Sequence, residues 1–153
     1  MSDHIKVYSR DHVLNVLIKA GVPAKSITLL DTHYVYLSNS KADSFFFNLS
    51  AQVIDTFKYW KAESRDCDKY SRVLQAVGIM SHALQWDKKS SDPAGLTLGV
   101  FNFTRTSGGH SINCIVTKAD GKEEFYLRFF EPQSGEETTL SATEIKSTHS
   151  LLI

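Results

Sequence analysis

The chain has 153 residues, of which 42% are hydrophobic and 22% are charged, a balance that suits a single domain with a full-sized core. Lysine plus arginine and aspartate plus glutamate both number 17, so the formal net charge is zero. Because nucleic-acid binders usually carry a basic excess, this balance argues against a nucleic-acid partner. The N-terminal residues lack the apolar run of a signal peptide, and no apolar stretch is long enough to span a membrane. The sequence therefore predicts a cytoplasmic protein with no membrane partner.

The first half of the chain predicts helices. Apolar residues at helical spacing predict a helix over 12–20, which Gly21 and Pro23 end, and a short strand follows over 32–37. A second helix is predicted to start after Asn39-Ser40 and to run to about Trp60. A third begins close to Cys67 and runs to about Gln85, with Asp66 as its N-cap. Its apolar face is predicted to hold Tyr70, Val73, Leu74, Val77 and Met80.

The second half predicts antiparallel strands. Period-two patterns lie near residues 98–103, 111–117 and 125–130, and the pair Asp120-Gly121 predicts a tight hairpin between the last two strands. Ser141 to Glu144 has the pattern of a capping box and predicts a short final helix. Helices first and antiparallel strands second indicate an α+β fold in which N-terminal helices pack on a C-terminal antiparallel sheet.

Two cysteines are available for chemistry. Cys67 stands at the head of a predicted helix, where unpaired N–H groups favour the thiolate that acts as a nucleophile. The alternative interpretation is a buried structural thiol, because free cysteine is among the most buried residue types. Cys114 lies between Ile112 and Val116 in a strand pattern and is predicted to face the core. A disulfide between the two cysteines also stays open, although the absence of a signal peptide favours reduced thiols.

His110 and Glu131 complete a candidate site. His110 follows two glycines at the start of a strand, and Glu131 ends the next strand. A two-residue turn at Asp120-Gly121 places these residues directly opposite each other, where a carboxylate can orient an imidazole. The alternative interpretation is structural: His110 is then a surface or hydrogen-bonded core histidine, and Glu131 is an ordinary carboxylate at the end of a strand. Cysteine at a helix head, followed by histidine and a carboxylate on adjacent strands, is typical of papain-like cysteine hydrolases.

Four sequence motifs resemble one family. The segments Asp31-Thr32-His33-Tyr34-Val35-Tyr36-Leu37, Asp66-Cys67-Asp68-Lys69-Tyr70, Gly109-His110-Ser111-Ile112-Asn113 and Glu131-Pro132-Gln133-Ser134-Gly135 resemble the agglutinin C-terminal-like domain, a papain-like cysteine protease domain known from a fungal lectin, with relatives among uncharacterised bacterial and bacteriophage proteins. The resemblance implies one papain-like domain over 1–153, with its recognisable core over about 31–135.

The resemblance also implies roles for single residues. The nucleophile falls on Cys67, the general base on His110 and the orienting acid on Glu131. Gln133 and Gly109 are weaker candidates for contacts to the substrate or the oxyanion. The fungal relative is switched on by calcium, for which Asp66 and Asp68 are the weak candidate ligands here.

These observations predict a hydrolase, a thiol protease or amidase that cleaves a peptide or isopeptide bond of a protein or peptide substrate through a Cys67–His110–Glu131 triad. The alternative is a catalytically silent papain-like interaction module, for example a phage accessory protein that binds and inhibits a host protein. The sequence leaves the oligomeric state open.

Overall fold

The computed structural model describes residues 6–57, 67–85 and 94–153. Over these residues it contains ten strands, four α-helices and one short 3-10 turn at Ala24–Ser26. In chain order the elements are β1 (Val7–Ser9), α1 (Arg10–Lys19), β2 (Ile27–Thr28), β3 (His33–Val35), β4 (Leu37–Ser38), α2 (Asn39–Phe57), α3 (Cys67–Gln85), β5 (Gly95–Leu96), β6 (Leu98–Arg105), β7 (Gly108–Lys118), β8 (Phe125–Phe130), β9 (Glu137–Thr138), α4 (Ala142–Lys146) and β10 (Ser150–Leu152).

A large sheet organises these elements. Its strands follow the order β2-β10-β6-β7-β8-β9, and β4 also pairs with β7. The long central strands β6, β7 and β8 are antiparallel. Two short strands from the N-terminal half join the sheet in parallel: β2 pairs with β10, and β4 pairs with β7. A smaller sheet has the order β1-β3-β5. The predicted α+β class is therefore confirmed, and the sheet also recruits strands from the N-terminal half.

Both faces of the central sheet are covered. One face contributes Ile112, Cys114 and Val116 of β7 to a core with Val13 and Leu17 of α1. The opposite face contributes Ile115 to a second core. That core also contains Phe46 and Leu49 of α2, Leu74 of α3, and Phe130 of β8. Two-sided burial explains why the middle of β7 is apolar at consecutive positions, because alternate side chains along a strand point to opposite faces.

The structure confirms most of the predicted elements. The first helix covers Arg10–Lys19, α3 begins at Cys67, and the capping box at Ser141 and Glu144 is formed in both directions. The prediction for Met80 is wrong, because this side chain is 64% exposed. The predicted N-cap Asp66 and the predicted end of the second helix at Trp60 lie outside the described residues.

The predicted two-residue hairpin is wrong. The β7–β8 ladder pairs Lys118 with Phe125 and Asn113 with Phe130, so six residues, from Ala119 to Glu124, connect the strands. The amide of Ala119 donates to the carbonyl of Glu124, which closes this longer loop. Within the part of the chain that the structure describes, no helix is long and apolar enough to cross a membrane.

Candidate functional site

Cys67 is the first residue of α3 and is partly buried. Its sulfur accepts a hydrogen bond from the backbone N–H of Ser111 at 3.4 Å. The Ser71 hydroxyl, one turn further along α3, donates to the carbonyl oxygen of Cys67 at 2.9 Å. Both cysteines are free thiols, so the disulfide between Cys67 and Cys114 is not formed.

The amide that contacts the sulfur lies where the sheet opens. The β7–β8 ladder ends at the pair Asn113–Phe130, whereas β7 pairs with β6 as far as Gly108. Beyond Phe130 the chain leaves β7 and forms its own turn, in which Glu131 N–H donates to Glu136 O and Gly135 N–H donates to Glu131 O. The first residues of β7 therefore have β6 on one side and no β8 partner on the other.

The hydrogen bonds of β6 show which backbone groups face this open edge. Asn102 and Thr104 are paired with Ser111 and Gly109, respectively. The carbonyl of Asn102 accepts from His149 N–H, and the N–H of Thr104 donates to Ser147 Oγ, so both groups point away from β7. In an antiparallel pair of this kind the opposite residues also direct their N–H and C=O groups outward. The backbone groups of Ser111 and Gly109 therefore face the open edge.

His110 and Glu131 are joined directly. His110 Nε2 lies 3.2 Å from Glu131 Oε1 and 3.1 Å from Oε2, and both side chains are about three-quarters buried. The observed register of β7 and β8 differs by two residues from that of a two-residue turn, so Glu131 lies two positions away from the predicted place directly opposite His110. A shift of two keeps both side chains on one face as diagonal neighbours, within reach of a long side chain.

Arg105 extends this pair into a network. Its Nη1 lies 3.4 Å from Glu131 Oε1, and its Nε donates to Glu144 Oε1 at 3.2 Å. The Phe103 ring lies under the guanidinium at 5.1 Å and makes an edge contact with the His110 ring at 5.7 Å. Sequence reasoning did not select Arg105. The sequence signal that could have found Arg105 is its position two residues after Phe103 in a strand, which puts both side chains on one face. Phe103 is paired with His110, so His110 lies on the same face.

The structure leaves the sulfur outside this network. Helix α3 packs on the sheet face of Ile115, whereas His110 lies on the face of Phe103 and Ile112. Over the described ranges, the hydrogen bond of the Cys67 sulfur is with the Ser111 amide, and none joins the sulfur to the imidazole. The three predicted residues are thus gathered around the start of β7, two of them in direct contact.

The weaker candidates occupy different surroundings. Gly109 is exposed, and nothing lies within 4 Å of the position of a Cβ atom there. Gln133 is exposed in the turn after β8. Asp68 is partly buried in the first turn of α3, and Asp66 lies outside the described residues. Residues 6–57, 67–85 and 94–153 contain no group of three histidine, cysteine or acidic side chains that could hold a metal ion.

No protein-family model and no curated protein sequence matches this chain. Among solved structures, the chain is similar to one described as the PSL1a–E64 complex, with a TM-score of 0.68 and 21% identity over 96% of this chain and 50% of that one. It is also similar to a Polyporus squamosus lectin bound to the human-type influenza-binding epitope Neu5Aca2-6Galb1-4GlcNAc, with a TM-score of 0.67 and 21% identity over 96% of this chain and 49% of that one. The chain spans about half the length of these structures, and the likeness shows the fold.

These comparisons support the predicted resemblance to a fungal lectin, and they correct the classification. The assignments as a hydrolase and a cysteine (thiol) protease are wrong, because neither matched structure is described as a protease and one is described as a lectin. The physical reason is that sequence motifs locate Cys67, His110 and Glu131 along the chain but do not determine which atoms they contact. In the described residues the Cys67 sulfur accepts a hydrogen bond from a backbone amide and not from the imidazole.

Proposed function

We propose that this chain is an interaction module with a papain-like arrangement, which binds an extended, peptide-like ligand along the open edge of β7 and does not turn it over. The observation that carries the proposal is the edge of β7 at Gly109, which has no strand partner among the described residues and lies beside the Cys67 sulfur and the His110–Glu131 pair. Both matched structures are described as complexes with a bound molecule, which supports a binding role. That the ligand is a protein or a peptide is part of this proposal.

Backbone geometry supports an extended ligand. An unpaired strand edge offers N–H and C=O groups that an added strand can use, a recurrent way of binding peptides. Gly108 and Gly109 are both exposed, and there is open space where their side chains would stand. A ligand backbone can therefore approach Gly109 closely without meeting a side chain.

The contacts of the sulfur support binding without turnover. Nucleophilic catalysis requires a base within hydrogen-bond reach of the nucleophile. Here the sulfur accepts a hydrogen bond from the Ser111 amide, and among the described residues no hydrogen bond joins it to the His110 ring. The site accordingly supplies a polar, partly buried contact surface rather than a thiol paired with a base.

The binding test uses E64, a peptide-like epoxide that alkylates thiols, because one matched structure is described as its complex. Titration of the ¹⁵N-labelled chain should shift the amide signals of Gly109 and Ser111 first. Gly109→Pro, which removes the amide donor, should weaken binding at least about tenfold, a loss of about 1.4 kcal/mol. The matched control Gly109→Ala keeps the donor and has room for its Cβ, so it should bind like the natural chain. Equal binding by the proline and alanine variants would overturn the edge site.

The turnover test separates a module from an enzyme. We expect iodoacetamide to alkylate Cys67 at pH 7 no faster than it alkylates N-acetylcysteine, and we expect no cleavage of a fluorogenic peptide pool. The measurements are intact mass and released fluorescence, each with and without calcium. Cleavage that disappears in Cys67→Ser would overturn the proposal of a silent module. The trisaccharide named for the lectin complex serves as a comparison ligand, and it should leave the amide signals of Gly109 and Ser111 unshifted because it has no extended peptide backbone.

A further inference from the structure

We infer that Arg105 is a positioning residue, anchored by Glu144 of the α4 capping box, that fixes the carboxylate of Glu131 and through it the orientation of the His110 ring. The inference deepens the proposed function, because it concerns the same site and assigns to α4 a part in shaping it. The positioning itself is measurable in the free chain, before any ligand is added.

The anchor of this network is the start of α4. Glu144 Oε2 accepts from the backbone N–H of Ser141 at 2.8 Å and from the Ser141 hydroxyl at 2.9 Å, and the Ser141 hydroxyl in turn accepts from the Glu144 amide. These reciprocal bonds of a capping box hold the glutamate in one rotamer. They also favour its charged form, and the backbone bond from Ser141 is the main reason that the pKa of Glu144 lies below its ordinary value. The other oxygen, Oε1, is left to receive Arg105.

Arg105 connects this anchor to the site. A guanidinium carries five donors in one rigid plane, so binding Glu144 through Nε directs Nη1 toward a second acceptor. That acceptor is Glu131 Oε1, at 3.4 Å. The Phe103 ring lies 5.1 Å from the guanidinium carbon and supports the plane from one side. The arginine is only 28% exposed, which limits screening of both contacts by water.

The consequence falls on the imidazole. Both oxygens of Glu131 lie near His110 Nε2, and Arg105 holds one of them. A carboxylate held in this way keeps an acceptor in front of Nε2 and favours the neutral tautomer with its proton there. The carboxylate orients His110 in the manner of the third group of a triad, and Arg105 in turn orients the carboxylate.

The chain offers a matched control on β8. Arg128 also binds two carboxylates, those of Asp43 and Glu137, and its guanidinium lies 5.4 Å from the Phe130 ring. Among the described residues its hydrogen bonds and ion pairs do not involve His110 or Glu131, and the two arginines share chemistry, partial burial and an aromatic neighbour. Loss of Arg128 removes more hydrogen bonds than loss of Arg105, because Arg128 also donates to the carbonyl of Asn39, but only loss of Arg105 removes a bond to the site.

The test is a two-dimensional ¹H–¹⁵N spectrum of the histidine ring nitrogens at pH 8 in the full chain. We expect His110 to show the Nε2–H tautomer in the natural chain and in Arg128→Gln. Arg105→Gln should give a mixture in which at least about a third of the ring has its proton on Nδ1, and Glu144→Gln should move in the same direction. Arg105→Lys, which keeps the charge without the planar fork, should restore the natural tautomer only in part. An unchanged His110 pattern in folded Arg105→Gln, or the same change in Arg128→Gln, would overturn the inference.

Two further measurements separate a loss of positioning from unfolding of the variant and from a loss of ligand binding. Thermal unfolding of each variant shows whether the fold persists, and Glu144→Gln replaces Arg105→Gln if that variant does not fold. E64 titration then asks whether positioning matters for binding, with Arg105→Gln expected to bind at least about threefold more weakly than Arg128→Gln. If no variant binds E64 but the tautomer changes as expected, the proposed function fails and the positioning role stands.

Discussion

The two cysteines lie in opposite environments although each belongs to a regular element. Cys67 begins a helix and keeps partial access to solvent, while Cys114 has no exposed surface and packs among the side chains of α1, β6 and β8. Burial raises the pKa of the Cys114 thiol far above its ordinary value, so this group stays protonated and unreactive. Chemistry of a free thiol in this chain therefore belongs to Cys67.

Replacing Cys114 by serine should lower the free energy of unfolding by about 1–3 kcal/mol, because a hydroxyl is buried where a thiol packed. Urea unfolding followed by circular dichroism measures the change. The alkylation rate of Cys67 should remain that of the natural chain, and Cys67→Ser, at a partly exposed position, should cost much less. If the folded Cys114→Ser chain lost its reactivity with iodoacetamide while Cys67→Ser retained it, Cys114 would be the reactive thiol.

At the scale of elements, α2 has one face buried against the sheet and the opposite face exposed to solvent. Neighbouring phenylalanines face opposite ways: Phe46 is 1% exposed and Phe47 is 78% exposed. The Phe46 ring stacks on Phe130 of β8 with a centroid distance of 3.7 Å and an interplanar angle of 4°. Since Glu131 follows Phe130, this stack fixes the end of the strand from which the site carboxylate extends. Further along α2, the Ser50 side chain lies against Gly135, where φ is +74° and an added Cβ would clash with the serine.

Replacing Phe46 and Phe47 one at a time tests which face of α2 is buried. Phe46→Ala should destabilise the chain by about 3–5 kcal/mol, because it opens a cavity in a close-packed core. Phe47→Ala removes the same atoms from a surface position and should change stability by no more than about 0.5 kcal/mol. Chemical denaturation gives both values. Similar losses for the two variants would mean that Phe47 is covered in solution and that α2 has a partner on its outer face.

At the scale of the whole molecule, the folded state keeps histidines in surroundings that disfavour their charge. Desolvation by burial lowers the pKa of His12, against a smaller opposing effect of the Glu123 carboxylate, and desolvation likewise lowers the pKa of His82. His12 Nδ1 lies 2.9 Å from the Tyr36 hydroxyl, and its ring contacts Tyr8, Tyr36 and Phe125. This aromatic cluster joins β1 and α1 to the start of β8.

The pH dependence of stability follows from these directions. Each folded-state pKa lies below the ordinary value of 6.5, so the unfolded chain binds more protons just below that pH. The stabilisation is complete above about pH 6.5 and is lost as pH falls through the folded-state values. Urea unfolding at pH 7.5 and pH 5.5 should therefore show lower stability at pH 5.5, and His12→Gln should reduce the difference. The exposed His33 provides the control, and a difference that His33→Gln removes and His12→Gln leaves would contradict this assignment.

The sequence by itself determined the α+β class, the positions of α1 and α3, the capping box of α4 and the burial of Cys114, because periodicity and capping are local properties of the chain. It also indicated that His110 and Glu131 share a face, and this held because the observed register differs from the predicted one by two residues, an even shift that leaves each side chain on its face. Only the tertiary structure decided that the hairpin has six loop residues, that Ser111 and not the imidazole contacts the Cys67 sulfur, and that Arg105 joins Glu131 to Glu144. These contacts depend on where β8 leaves β7 and on which face α3 covers, and such long-range packing has no signal at any single position of the chain.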